Sequence, residues 1–281
     1  MNSGSPILEG ASPRRRTKIS RSLVFGVALM ASMIVSTVGA PLFTPYGPTD
    51  QNISNRFAPP SAAHILGTDN FGRDLLARVL YGGRVDLWIA FLATFLSLLV
   101  GTMAGLFGGY FGGRIDGLLS GLVNTTMAFP VFVLVILIVA MLGPGIRNLF
   151  VAIVAVSWVF YARIVRGEVL ATRNKEFVDA AKVVGCRDRR VLSRHILPNV
   201  ITAPIVYAAS DAVLNMVFAG TLGYLGLGVQ PPNPEWGAMV AENRGFLAVY
   251  PNLVLIPSLF ILVAGIAFSL IGDGLADLMR K

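Results

Sequence analysis

Six stretches of this chain are apolar on every side and long enough to cross a bilayer, and nothing else in the sequence restricts its fold as strongly. They run approximately over 22–42, 87–106, 118–142, 149–164, 201–222 and 253–271, the fourth being the shortest. A bilayer's hydrocarbon core takes about 20 residues of helix. In hydrocarbon every backbone N–H and C=O needs a partner within the protein, which leaves only helices and closed barrels. Barrel strands alternate apolar and polar residues, and these runs do not. Hydrophobic residues make up 54% of the chain and charged ones 14%, far from the balance of a soluble domain. The fold class expected is an all-α polytopic membrane protein with six transmembrane helices.

The basic residues set the expected orientation. Five precede the first span, Arg114 follows the second, nine lie between Arg163 and Arg194, and Arg280 and Lys281 close the chain. Against these, Arg56, Arg73, Arg78, Arg84, Arg147 and Arg244 fall on the other side. This asymmetry places both termini in the cytoplasm. The net charge of +8 is then topology and attraction to membrane lipid, and not a nucleic-acid footprint, which would need a soluble basic domain with stacking aromatics. Residues 1–21, rich in Ser, Pro, Gly and Arg, read as a disordered basic tail. Pro41 directly after Val38-Gly39-Ala40 argues for an uncleaved first span over a signal peptide. A single cysteine, Cys186, excludes a disulfide framework, and His64 and His195 fall in loops on opposite faces, so no metal site is expected.

Between the fourth and fifth spans lies a charged loop, 166–199. Within it Phe177, Ala180, Ala181 and Val184 recur at helical spacing and share one face. Glu176 stands at that helix's N-terminus, where the dipole favours a carboxylate. Gly185 can turn the chain in the left-handed region, and Pro198 is expected to stop a second short helix. The segment between the first two spans reads His64-Ile65-Leu66-Gly67-Thr68-Asp69-Asn70-Phe71-Gly72-Arg73-Asp74, followed by Arg78, Gly82 and Arg84. It suggests a tight extracytoplasmic turn held by Asp–Arg pairs and an Asp helix cap. After the fifth span comes Leu225-Gly226-Leu227-Gly228-Val229-Gln230-Pro231-Pro232-Asn233-Pro234-Glu235-Trp236-Gly237. This is an irregular loop, with Trp236 expected at the membrane interface.

Together these three motifs, from about residue 64 to 276, resemble the permease subunits of peptide-class (dipeptide- and oligopeptide-type) ABC importers. Within that family the chain looks like the partner that carries the Gly-Thr-Asp segment. The resemblance implies a type I permease core of five helices (85–281) with one extra N-terminal helix and its extracytoplasmic segment (22–84). It implies a heterodimer with a paralogous permease subunit, two ATP-binding subunits and an extracytoplasmic solute-binding protein, in a bacterial inner membrane. ATP and Mg would be bound by the partner ATPases, with no cofactor in this chain. Glu176, Phe177, Ala180, Ala181, Val184 and Gly185 would form the coupling helix that docks on an ATPase and drives alternating access. The family often carries a carboxylate just before Leu-Gly-Leu-Gly, where this chain has Ala219-Gly220. Substrate contacts are therefore not carried over.

Pathway candidates come from the residues themselves. Ser210, Asp211 and Asn215 are polar within the fifth apolar run, and Asp211 and Asn215 lie one turn apart. A carboxylate at membrane depth faces a bundle interior or an aqueous cavity, so this face either lines the pathway or pairs with another helix. Asn124, with Thr125 and Thr126, is a second candidate of the kind. Gly101, Gly105 and Gly109 form a small-residue stripe, suited equally to packing within the subunit or between subunits. The chain lacks the phosphate-cradling glycine loop with its Lys-Ser/Thr, so no ATPase activity of its own is expected. An ion-coupled secondary transporter or channel acting through Asp211 is the alternative, but such a carrier has no need of the 176–198 loop.

Overall fold

In this computed structural model residues 20–279 are described; the expected basic tail falls outside them except for its last two positions. The described residues form helices, irregular segments and one isolated bridge, Thr68–Asp74, with no named strand among them. In order the α-helices are α1 (Arg21–Val38), α2 (Ala40–Phe43), α3 (Leu75–Phe111), α4 (Gly113–Met127), α5 (Val131–Leu142) and α6 (Ile146–Thr172). Then come α7 (Glu176–Val183), α8 (Asp188–Arg190), α9 (Leu197–Val200), α10 (Thr202–Tyr224), α11 (Trp236–Asn243) and α12 (Asn252–Met279). Five of these, α1, α3, α6, α10 and α12, are each long and apolar enough to span a membrane.

The third apolar run is not one straight span. It divides into α4 and α5, bent by 92°, because Pro130 stands at the N-cap of α5 and has no N–H to extend the helix before it. Counting the bent pair as one crossing gives six. The fourth run, the shortest by hydropathy, belongs to a helix of 27 residues. Its last turns carry Arg166 and Glu168, and Arg166 pairs with Asp116 of α4. The second is longer still, 37 residues, or about 55 Å at 1.5 Å per residue. That exceeds the bilayer thickness, so α3 extends into the structure outside the membrane.

The glycine stripe on α3 packs within the subunit, against α6. A Cβ added at Gly105 would stand 2.6 Å from the Ala162 carbonyl oxygen, and one at Gly109 2.9 Å from Val169 Cβ. Gly101 meets Trp158 and Tyr161 in the same way. Small residues here let two helix backbones approach and gain dispersion contacts that lipid cannot supply. One apolar core gathers Ile89, Ala93, Val135, Val139, Leu149, Ile153 and Leu222 from α3, α5, α6 and α10. Another, containing Met33, Leu75, Met216, Trp236 and Leu253, joins α1, α3, α10, α11 and α12.

Trp236 departs from its expected place at the membrane interface. It is fully buried, its indole Nε1 donating to the Val79 carbonyl at 2.9 Å. A tryptophan whose one donor is satisfied inside gains more from burying its rings than from a headgroup position. Pro198 also departs from its expected role. It stands in the first turn of α9, where no N–H is needed, directly after the π-helical turn Val191–Ile196, so the helical path continues past it into α10.

Candidate functional site

Helix α7 is fastened to the body by one face and leaves another free. Val178 and Ala181 are buried in a cluster with Leu106, Val165, Val169, Val191 and Ile196. Phe177, Ala180, Val183 and Val184 are exposed, as is Glu176. The four residues expected to share an outward face therefore divide: Phe177, Ala180 and Val184 point outward, and Ala181 packs inward. Val183, which spacing alone did not single out, completes the outer patch. The helix ends with Gly185 at φ +84. Gly185 N–H donates to the Lys182 carbonyl at 2.9 Å, and Cys186 N–H to the Ala181 carbonyl at 3.0 Å. This is a Schellman cap, and it fixes the exit direction of the chain.

The loop is tied to the spans at both shoulders. Arg173 Nη1 donates to the Gly109 carbonyl at 2.8 Å, near the end of α3. Tyr110 Oη donates to Asp188 Oδ1 at 2.6 Å. Helix α7 itself packs, through Val178 and Ala181, on Leu106 of α3 and on Val165 and Val169 of α6.

The pathway candidates do not form one group. Asp211 and Asn215 are both buried, and together they join three helices. Tyr161 of α6 donates to Asp211 Oδ2 at 2.8 Å, and Asn215 Nδ2 donates to the same oxygen at 2.9 Å. Asn215 Nδ2 also reaches Thr94 Oγ1 of α3 at 2.9 Å, and Ser157 Oγ of α6 donates to Asn215 Oδ1 at 3.3 Å. Ser210 lies exposed on another face. Asn124 lies elsewhere again, in a cleft of about 420 Å³ between α3, α4 and α6 that Ser120, Arg163 and Arg166 also line. Tyr161 was missed as a partner because tyrosine in an apolar run looks like bulk; its hydroxyl matters only once α10 faces it.

On the opposite side of the bundle, the segment before α3 is locked to α11. Arg73 Nε donates to Asp69 Oδ2 at 2.6 Å. Arg73 Nη2 and Arg78 Nη2 both donate to Glu242 Oε2, at 2.8 and 2.9 Å. Asp74 caps α3, accepting from Ala77 N–H at 2.7 Å, and its other oxygen lies 3.0 Å from His64 Nδ1. Tyr46 stacks on the His64 ring with centroids 4.6 Å apart. Glu235 caps α11, accepting from the N–H groups of Gly237 and Ala238, both at 2.7 Å. Burial raises the Glu235 carboxyl above the usual range despite those two bonds. Nearby, Trp236 N–H donates to Asp86 Oδ2 at 3.0 Å. The sequence points to Asp–Arg pairs and an Asp cap in this segment, which the structure assigns to Asp69 with Arg73 and to Asp74, but not to Glu242, which lies 164 positions from Arg78.

Comparison with known proteins places this architecture. Residues 97–281 match the family of binding-protein-dependent transport system inner membrane components. Residues 14–60 match the N-terminal TM domain of oligopeptide transport permease C. The dipeptide transport system permease protein of Alkalihalophilus pseudofirmus is 39% identical over 97% of this chain and 89% of its own length. The oligopeptide transport system permease protein of Haemophilus influenzae is 37% identical, covering 96% of this chain and 89% of its own. A glutathione transport system permease protein of Escherichia coli is 35% identical over 94% of this chain and 87% of its own. Among solved structures, an inward-facing form of the MetNI methionine ABC transporter aligns with TM-score 0.57 at 16% identity, over 69% of this chain and 93% of that one. That similarity is one of fold. The chain is a multi-pass membrane permease subunit and belongs to the family of binding-protein-dependent transport system inner membrane components.

Proposed function

We propose that this chain is one of two paralogous permease subunits of an ATP-driven importer for peptides or related small solutes, the partner that carries the Gly-Thr-Asp segment. The names of its relatives support the peptide class. The observation that carries the coupling role is the exposed apolar patch on α7, Phe177, Ala180, Val183 and Val184, on a helix fastened to α3 and α6. Exposed apolar groups on a charged loop are suited to a partner's groove. Two ATP-binding subunits, holding ATP and Mg, lie on the cytoplasmic side, one of them offering the groove that receives α7, and both termini lie on the same side. An extracytoplasmic solute-binding protein delivers cargo to the opposite face.

Closure of the ATPases on ATP moves α7. Its packing on Leu106, Val165 and Val169, flanked by the Arg173–Gly109 and Tyr110–Asp188 hydrogen bonds, carries the motion to α3 and α6, which narrow the inner opening and widen the outer one. Glu176 favours the helix's N-terminus by its charge, and Gly185 holds the exit turn. Ala181 anchors the helix from its inner side. The membrane core of 85–281 performs the transport movement, and residues 22–84 brace its outer end.

Crosslinking tests this reading. With Ala180→Cys or Val184→Cys in the assembled importer, a thiol placed in the ATPase groove should crosslink, with a yield that changes when ATP binds. Absence of a crosslink from every groove position, in a complex that still hydrolyses ATP, would remove the docking role.

A further inference from the structure

Beside α7 the same loop carries four arginines, Arg187, Arg189, Arg190 and Arg194, all exposed. Together with Ser193 they line a recess of about 350 Å³. No carboxylate pairs with any of the four among the described residues. The nearest acidic residue in sequence, Asp188, is turned toward Tyr110. Four guanidinium groups within eight residues, none in an ion pair among the described residues, repel one another, and a bound anion relieves that repulsion.

The recess does not end at the arginines. Arg189 and Ser193 also form the rim of a second groove, about 430 Å³, lined by Met103, Phe107 and Phe111 of α3 and by Leu192 and Leu197. Met103, Phe107 and Phe111 are exposed and one turn apart, so they form a stripe along the last turns of a membrane-spanning helix. From Met103 to Phe111 that stripe covers about 12 Å of helix, close to the roughly 15 Å depth of one leaflet's hydrocarbon. The Tyr110–Asp188 hydrogen bond, 2.6 Å, holds the arginines at the end of the stripe.

We infer that this composite site binds an anionic phospholipid, with its phosphate among Arg187, Arg189, Arg190 and Arg194 and an acyl chain along Met103, Phe107 and Phe111. The two halves select the ligand jointly. A free phosphate would satisfy the arginines and leave the groove bare. A zwitterionic lipid would fill the groove but bring an ammonium group to the arginines. An acidic protein surface would satisfy the arginines but has no acyl chain for the apolar groove. Guanidinium groups suit this role because their planar forks pair with phosphate oxygens bidentately. The site shares no residue with the α7 patch, so it stands independently of the docking reading.

Native mass spectrometry of the assembled importer tests the site, after reconstitution in mixed phosphatidylglycerol and phosphatidylcholine. The wild type should retain phosphatidylglycerol selectively through detergent exchange. Arg189→Gln/Arg190→Gln/Arg194→Gln should lower that retention by about fivefold per arginine removed, with the complex still assembled. Phe107→Gln, which leaves the charges intact, should also weaken retention, and excess inorganic phosphate should not displace the lipid. Unchanged retention in the assembled triple variant would overturn the site. So would displacement of the lipid by phosphate alone. Loss of the ATPase subunits from the triple variant, with lipid retained, would assign the arginines to a protein partner and overturn it as well.

Discussion

Arg73 and Glu242 lie 169 positions apart in sequence and meet at 2.8 Å. Arg78 reaches the same carboxylate oxygen, and Asp69 lies against both arginines from the other side, so two acids balance two buried guanidinium groups and Glu242 ties the turn before α3 to the end of α11. Removing one partner from such a cluster leaves an uncompensated buried charge. Glu242→Gln should therefore destabilise the purified complex by on the order of 3 kcal/mol, read as a lower thermal midpoint in detergent. Glu242→Gln/Arg78→Met should recover part of that loss; a double variant no better than the single would show that the arginines do not share this acid energetically.

Close packing of α3 on α6 leads to a paired expectation. At Gly105 a Cβ would meet the Ala162 carbonyl at 2.6 Å, whereas at Gly117 nothing lies within 4 Å. Gly105→Leu should sharply reduce folded protein in the membrane, because backbone cannot retreat as a flexible side chain can. Gly117→Ala should be accepted in an isolated subunit. Comparable expression of Gly105→Leu and wild type would break the packing argument.

The Asp211 cluster separates charge from hydrogen bonding. Tyr161 and Asn215 both donate to one oxygen, Oδ2, an acceptor that an amide also supplies. Asp211→Asn should stay within about 1 kcal/mol of wild type in stability, whereas Asp211→Leu strands two buried donors at about 1–3 kcal/mol each. Asp211→Leu/Tyr161→Phe should regain part of the difference. If transport changes in Asp211→Asn while stability does not, the charge has a part in the pathway beyond joining helices.

Ala181 on α7 and Gly185 just past its end should fail in different ways. Gly185→Val forces a β-branched residue to φ +84, a conformation costing on the order of 1–3 kcal/mol, and should uncouple ATP hydrolysis from uptake while the subunit still inserts. Ala181→Leu enlarges a residue packed in the body and should lower subunit stability first. Thermal midpoints beside uptake rates distinguish the two, and identical behaviour would contradict the two-faced description of the helix.

Topology can be tested by thiol labelling. Cysteines at Asn70 and Asn233 should react with an impermeant reagent from outside, and one at Ser193 should not. Reversed labelling would invert the orientation drawn from the basic residues.

Much of this was legible from the sequence because hydropathy and local turn chemistry act over short distances. The apolar runs announce helices, Asp74 announces a cap, and Gly185 announces a left-handed turn. What escaped depends on residues brought together from afar. Glu242 had no visible reason to be acidic until Arg73 and Arg78 faced it, and Ala181 gave no sign of pointing inward while its neighbour Ala180 points out. Pro130 was readable in principle, since a proline within an apolar run marks a break, but the continuous hydropathy on both sides masked it.

Helix α3 joins two regions that share no residue. Near its outer end stand Arg78 and Arg84, and near its inner end the Gly109 carbonyl accepts from Arg173. A straight rod of about 55 Å, pivoting at its middle through roughly 10°, carries its two ends about 5 Å in opposite directions. In the proposed importer, an α3 that turns about its middle would make the mouth facing the outside and the loop facing the ATPases the two arms of a seesaw.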